Sequence, residues 1–199
     1  SPEQFLKVEH GSVETRPIKG TRPRGMSPEQ DRTLAEELVC SEKDKAENLM
    51  IVDLLRNDLG RVCRTGSISV PQLWALESYP TVHHLVSTVV GELPPERDNV
   101  ELLKACFPGG SVTGAPKIRA IEIIDELEPT QRSVYCGAIG YLGFNGAMNT
   151  SIVIRTIVYT RGRAYFQVGG GIVADSDPEA EYLETLDKAR GLVMALESL

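Results

Sequence analysis

The chain has 199 residues, enough for one well-buried core and short of what two usually need. Hydrophobic residues make up 41% and charged residues 25%, a globular balance that excludes wholesale disorder. Lys and Arg number 21 against 28 Asp and Glu, and the resulting net charge of −7 argues against a nucleic-acid binder or a membrane-surface binder, since both partners attract basic faces. An anionic small molecule stays possible, because a pocket can be basic on an acidic protein.

No apolar run is long and uninterrupted enough for a spanning helix. The sequence starts Ser1-Pro2-Glu3, without Met or a signal-peptide pattern, which is expected of a processed or truncated chain. Four cysteines, Cys40, Cys63, Cys106 and Cys136, are far apart and without zinc spacing, so reduced, mostly buried thiols of a cytoplasmic protein are expected.

Residues 1–26 are punctuated by Pro2, Gly11, Pro17, Gly20, Pro23 and Gly25, a pattern of short strands and turns. Lys19 stands here, with Arg16, Arg22 and Arg24 close by. A lysine becomes a nucleophile when burial or nearby positive charge favours its neutral amine, while an exposed loop lysine is the commoner outcome. Ser27-Pro28-Glu29 then reads as a helix cap with a first-turn Pro and acid. Apolar residues at helical spacing (Leu34, Leu38, Ala46, Leu49, Leu54) predict a helix to about Asp58, broken near Ser41. Asp44 and Glu47 lie three apart on it, as Glu181 and Glu184 do on the last helix, so each pair shares a helical face. Facing one another across a cleft, such acids suit a hard cation such as Mg²⁺; solvated surface is the ordinary fate of helical acids.

Arg61 to Ser69 alternates and predicts a strand, and a further strand is expected at Leu85–Val90. His83-His84 offers a general base, with no partners for a zinc site. Asn99–Cys106 and Pro116–Leu127 read as helices. Between them Gly109 to Lys117 leads from loop into helix, where free N–H groups would suit a carboxylate or phosphate; Ala115-Pro116 stands where a P-loop needs Lys-Ser/Thr. Tyr135–Leu142, Met148–Tyr159 and Ala164–Val168 are strand-like, with hairpin breaks at Gly143–Gly146 and Arg161-Gly162. Arg155, inside an apolar strand pattern, either alternates out to solvent or pairs with a buried anion. Gly169-Gly170-Gly171 closes a strand, either as a plain tight turn or as a place where backbone approaches a ligand. Asp177-Pro178-Glu179 caps the last helix, on which Lys188 follows Glu184 at ion-pair spacing. Helices bracketing antiparallel strands predict a layered α+β domain over residues 1–199.

Four stretches carry a resemblance: Pro17-Ile18-Lys19-Gly20-Thr21-Arg22-Pro23-Arg24-Gly25, Glu47 through Asn57-Asp58-Leu59-Gly60-Arg61, Gly109 through Lys117, and Gly169 through Lys188. Together they resemble the chorismate-utilising enzymes, the family of the anthranilate, aminodeoxychorismate, isochorismate and salicylate synthases. The resemblance implies the family's layered antiparallel-sheet fold and makes this chain look like the C-terminal part of its chorismate-binding region. It implies Mg²⁺ held chiefly by Glu47 and Glu184, with Asp44 and Glu181 in support, and Asp44 departs from the more usual Glu. It places Tyr135, Arg155, Gly169, Gly170, Gly171 and Lys188 against the substrate, Ser111 where a Thr is common, and His84 near the reacting ring. Glu3 matches the acid that assists loss of the C4 hydroxyl. Lys19 discriminates: anthranilate synthases resemble Pro-Ile-Ala-Gly-Thr here, whereas aminodeoxychorismate synthases carry Pro-Ile-Lys-Gly-Thr, with the lysine as nucleophile. The expected activity is therefore amination of chorismate in p-aminobenzoate and folate synthesis, with ammonia from a glutamine amidotransferase subunit. Anthranilate formation and a catalytically incomplete binding fragment are the alternatives.

Overall fold

The computed structural model describes residues 1–198, built around a mixed-length, wholly antiparallel sheet. Strands β1 (Gln4–Glu9), β2 (Ser12–Thr15) and β3 (Ile18–Pro23) come first, then helices α1 (Pro28–Cys40) and α2 (Glu42–Gly60). A long hairpin of β4 (Ser69–Ser78) and β5 (Val82–Glu92) follows, then α3 (Asn99–Cys106), a 3₁₀ turn at Gly110–Val112 and α4 (Lys117–Leu127). The chain continues through β6 (Ala138–Leu142), β7 (Met148–Ile152), β8 (Val158–Thr160), β9 (Arg163–Tyr165) and α5 (Pro178–Glu197).

β5 organises the sheet. One edge pairs with β4; the other pairs with β2 and β3 in succession, because the chain parts at Arg16-Pro17 and resumes along the same edge. β2 continues to β1, β1 to β7 and β7 to β6, while β8 and β9 form a separate ribbon. Phe5, Leu6, Val8, Val13 and Val89 pack from the sheet onto Val52 and Leu59 of α2 and Leu102 of α3 in one buried core. Each large apolar side chain so buried stabilises the fold by about 1.5–3 kcal/mol relative to exposure.

Local signals explain the helices. The Ser27 hydroxyl accepts from the Gln30 N–H, and Pro28 opens α1. Ser41 ends α1 and caps α2, its hydroxyl accepting from the Asp44 N–H at 3.2 Å, so the expected break is a shared cap. α3 carries a capping box of Asp98 and Glu101, and Asp177 caps α5.

Several expected strands differ. Residues 61–68 form turns instead of a strand: Arg61 and Val62 N–H groups close the end of α2, and Gly66 turns the chain at φ +80°. Val62 and Cys63, neighbours in sequence, are both buried in the core, so the burial there does not follow strand alternation. Tyr135 precedes β6, because Cys136 takes φ +64° and bulges the ladder, which continues irregularly from Cys136 N–H to the Val153 carbonyl. β7 stops at Ile152, so Arg155 lies in a break at φ +50° and strand alternation does not govern it. β9 ends at Tyr165, leaving Gly169-Gly170-Gly171 in an irregular segment that ends no strand. Cys63, Cys106 and Cys136 are buried free thiols and Cys40 is exposed; no described helix is long and apolar enough to cross a membrane.

Candidate active site

Three segments meet around Lys19. Its ammonium, presented by β3, donates to the Ser111 carbonyl at 3.3 Å and lies 3.6 Å from where a Cβ on Gly171 would stand. Glu3, at the lip of β1, is only 8% exposed. Burial pushes its carboxyl above the ordinary range, with the Ser111 hydroxyl and the Lys19 charge opposing the shift.

The backbone beside Lys19 is held tightly. Gly20 adopts φ +86°, and a Cβ there would stand 2.8 Å from Leu38 and 2.9 Å from the Asp44 Cβ, so this turn packs straight onto α1 and α2. Arg22 pairs with Asp44 at 3.2 Å. Across the β3–β5 pairing, the Thr21 hydroxyl meets His84 Nδ1 at 2.9 Å. Burial holds His84 below the usual histidine range; Glu77 opposes this and the Arg155 charge reinforces it. His83 points the other way, buried between the Ser78 hydroxyl at 2.8 Å and the Asp31 carboxylate at 2.9 Å. Strand alternation thus separates the two histidines, one toward Lys19's strand and one into a structural network.

The irregular segment before α5 brings in the remaining candidates. The Tyr135 hydroxyl lies 3.0 Å from where a Cβ on Gly169 would stand, and burial pushes its phenol up to about 12. Arg155 is exposed, and its charge reaches both Tyr135 and His84. Lys188 donates to the Gly169 carbonyl at 3.1 Å and pairs with Glu184. Glu181 accepts from the Ser176 hydroxyl at 2.6 Å, and its Oε2 lies 3.0 Å from a Cβ placed on Gly170. Glu181 therefore lies against the glycine segment whose Gly171 faces Lys19, Glu184 reaches that segment only through Lys188, and Asp44 packs on the turn that follows Lys19.

These acids offer only carboxylate oxygens, the donor chemistry of a hard cation. Asp44, Glu181 and Glu184 already hold partners, whereas half-buried Glu47 has none recorded among the described residues. Among the described residues no three His, Cys, Asp or Glu side chains close into a metal-holding group. The donor set suits Mg²⁺ in kind, with the cluster open.

Residue spacing did not single out several side chains that shape this region. Lys117 bonds the Asp58 carboxylate at 2.5 Å and the Cys106 carbonyl at 2.7 Å. Arg132 donates to the Val112 carbonyl at 2.7 Å. Lys117 and Asp58 sit within two of the stretches that carry the family resemblance, which was the available signal.

Over residues 1–194 the chain matches the family described as chorismate binding enzyme. It is 58% identical to aminodeoxychorismate synthase component 1 of Salmonella typhimurium, over all of this chain and 44% of that protein. It is 51% identical to anthranilate synthase component 1 of Aquifex aeolicus, over 99% of this chain and 40% of that one. The crystal structure of anthranilate synthase component I from Streptococcus pneumoniae superposes with a TM-score of 0.86 at 46% identity, covering 96% of this chain and 42% of that chain. The chain thus spans less than half the length of these relatives. With the family match running nearly end to end and the same α+β sheet recurring in a solved relative, the chain belongs to the chorismate binding enzymes.

Proposed function

We propose that this chain carries the amination chemistry of an aminodeoxychorismate synthase component 1. The observation that carries the reading is the meeting of Lys19 with Glu3 and Ser111, at the position where the resemblance distinguishes amination at C4 from anthranilate formation. Lys19 adds through its nitrogen lone pair to C2 of chorismate while the C4 hydroxyl departs, taking a proton from buried Glu3. Ammonia then bonds to C4 and expels the lysine, so the amine returns to its starting form and 4-amino-4-deoxychorismate is released.

The other residues orient the substrate. Arg155, Lys188 and the Tyr135 hydroxyl supply donors for its carboxylates and side chain, and the glycine segment lets backbone approach. Neutral His84, oriented by Thr21, faces the ring. Glu47 and Glu184 would hold Mg²⁺, with Asp44 and Glu181 in support, and the cation would neutralise a ring carboxylate. The relatives' designation as component 1 supports a second component, which we assign as a glutamine amidotransferase delivering ammonia.

The test is to incubate the full-length protein with chorismate, Mg²⁺ and ammonia. 4-Amino-4-deoxychorismate is expected, and direct release of fluorescent anthranilate would overturn the assignment. Lys19→Ala should lower amination by at least about 10³-fold, as removal of a covalent nucleophile does.

A further inference from the structure

We infer that Lys117 is a positioning residue: its side chain staples shut the loop that offers Ser111 to Lys19 and Glu3. The inference rests on the function proposed above for Lys19 and Glu3, and adds a residue that touches neither the substrate nor the amine.

The loop spans residues 107–116, between the end of α3 and the start of α4. Lys117 is the first residue of α4, and its ammonium donates to the carbonyl of Cys106, the last residue of α3, at 2.7 Å. One side chain therefore joins the two ends of the loop. The same ammonium bonds the Asp58 carboxylate at 2.5 Å, fixing both ends to α2, and the two side chains are 12% and 4% exposed. Burial pushes Asp58 upward and Lys117 pulls it back down, so each partner is needed to keep the other comfortable out of water.

Within these fixed ends the loop is pressed into place. A Cβ on Gly109 would stand 2.5 Å from Ile152, and one on Gly110 would stand 2.6 Å from Leu54, so the backbone lies directly on β7 and α2. The Thr113 hydroxyl donates to the Gly109 carbonyl at 3.0 Å, and Arg132 holds the Val112 carbonyl from the far side. Ser111 lies at the middle of this arrangement, its carbonyl on Lys19 and its hydroxyl toward Glu3. Opening the staple releases the ends first and Ser111 with them. A misplacement of about 1 Å at a reacting group costs on the order of 100-fold in rate.

The variants for the test are Lys117→Met, and Lys117→Met combined with Asp58→Asn, made in the full-length protein. The double variant leaves no unpaired buried charge, so it keeps the question open if the single variant fails to fold. Two readouts apply, with thermal unfolding confirming the fold. Hydrogen exchange over residues 107–116 should accelerate while the core strands stay protected, a measurement independent of activity. The kcat for amination should fall by about 100-fold, with KM for chorismate changed far less, since the substrate's carboxylate contacts are intact. The limb of the pH–rate profile set by Glu3 should also move upward, because the Ser111 hydroxyl that holds its carboxyl down is withdrawn while Lys19 still faces it. Unchanged loop exchange in a folded variant overturns the staple. Faster exchange with unaltered kcat and pH limb overturns the positioning role. Lys19→Ala run alongside judges the proposed chemistry separately: if amination survives that change, the nucleophilic role of Lys19 falls, whereas the exchange result still decides the staple.

Discussion

α2 and α5 are close in length and each presents acids three residues apart, yet they are anchored by different forces. α2 buries Asn48, Ile51, Val52, Leu55, Asp58 and Leu59, so its acids stand on a helix fixed by core packing. α5 buries Leu192 alone among the described residues and exposes Tyr182, Leu183, Leu186 and Met194. Its position relative to Lys19 is held instead by polar bonds: Lys188 to the Gly169 carbonyl, and Ser176 to Glu181. One wall of the candidate site is therefore set by burial, which is non-directional and strong in sum. The other is set by a few directional bonds, each of which contributes little on its own.

Substitutions on the two sides should separate these regimes. Leu59→Ala, at a fully buried α2 position, should destabilise the chain by about 2–5 kcal/mol in urea unfolding. Gly20→Ala should cost about 1–3 kcal/mol, because φ is positive and the new Cβ meets Leu38 and Asp44, and it should displace Lys19 as well. Glu3→Gln sharpens the comparison through pH. A carboxyl raised on folding binds more protons in the native than in the unfolded state, so its contribution is present below the ordinary 4.5 and is lost as pH rises. The variant should therefore gain stability over the parent as pH climbs above the ordinary 4.5, which urea unfolding across pH would show. Lys188→Met should change stability by less than about 1 kcal/mol, since Glu184 is half exposed, while loosening the glycine segment in hydrogen exchange. Leu186→Ala, 48% exposed on α5, should fall within about 0.5 kcal/mol of the parent. If Leu186→Ala matched Leu59→Ala, the contrast between the helices would be wrong.

The parts legible in the sequence were those with local causes. Ser27-Pro28-Glu29, Ser41 and Asp177-Pro178 mark helix ends because caps act within a few residues. The hairpins around Gly143–Gly146 and Arg161-Gly162 were readable for the same reason. The breaks at Cys136 and Arg155 were not, because nothing local in a Cys or an Arg announces a left-handed backbone; the irregular pairing with Val153 imposes it from a distance. Residues 61–68 misled by alternation of residue type, since the turn buries the adjacent pair Val62 and Cys63 and leaves residues 64–66 exposed. At the site, motif resemblance named Lys19, Glu3 and Ser111, and the fold brought those three together. Residue type alone left Lys19 undecided between nucleophile and loop cation, since the Ser111 and Gly171 backbone that surrounds its amine lies far away in sequence. The Lys117 staple was invisible for that reason too: Asp58 is 59 residues distant.

The seam between β1 and β7 bears on how the chain comes to have chemistry at all. Leu6 and Thr150 face each other there, and the Thr150 hydroxyl accepts from the Leu6 N–H and donates to its carbonyl across 144 positions. The hairpins β4–β5 and β6–β7 join neighbours and close on a timescale of about microseconds. A seam joining such remote segments must first overcome loop-closure entropy and closes late. Glu3 lies on that seam, its carbonyl accepting from the Ile152 N–H at 3.0 Å, while Lys19 arrives on a strand already paired to β5. The carboxyl of Glu3 thus reaches Lys19 only when this long-range seam closes, so a chain paired through its hairpins alone keeps the two apart.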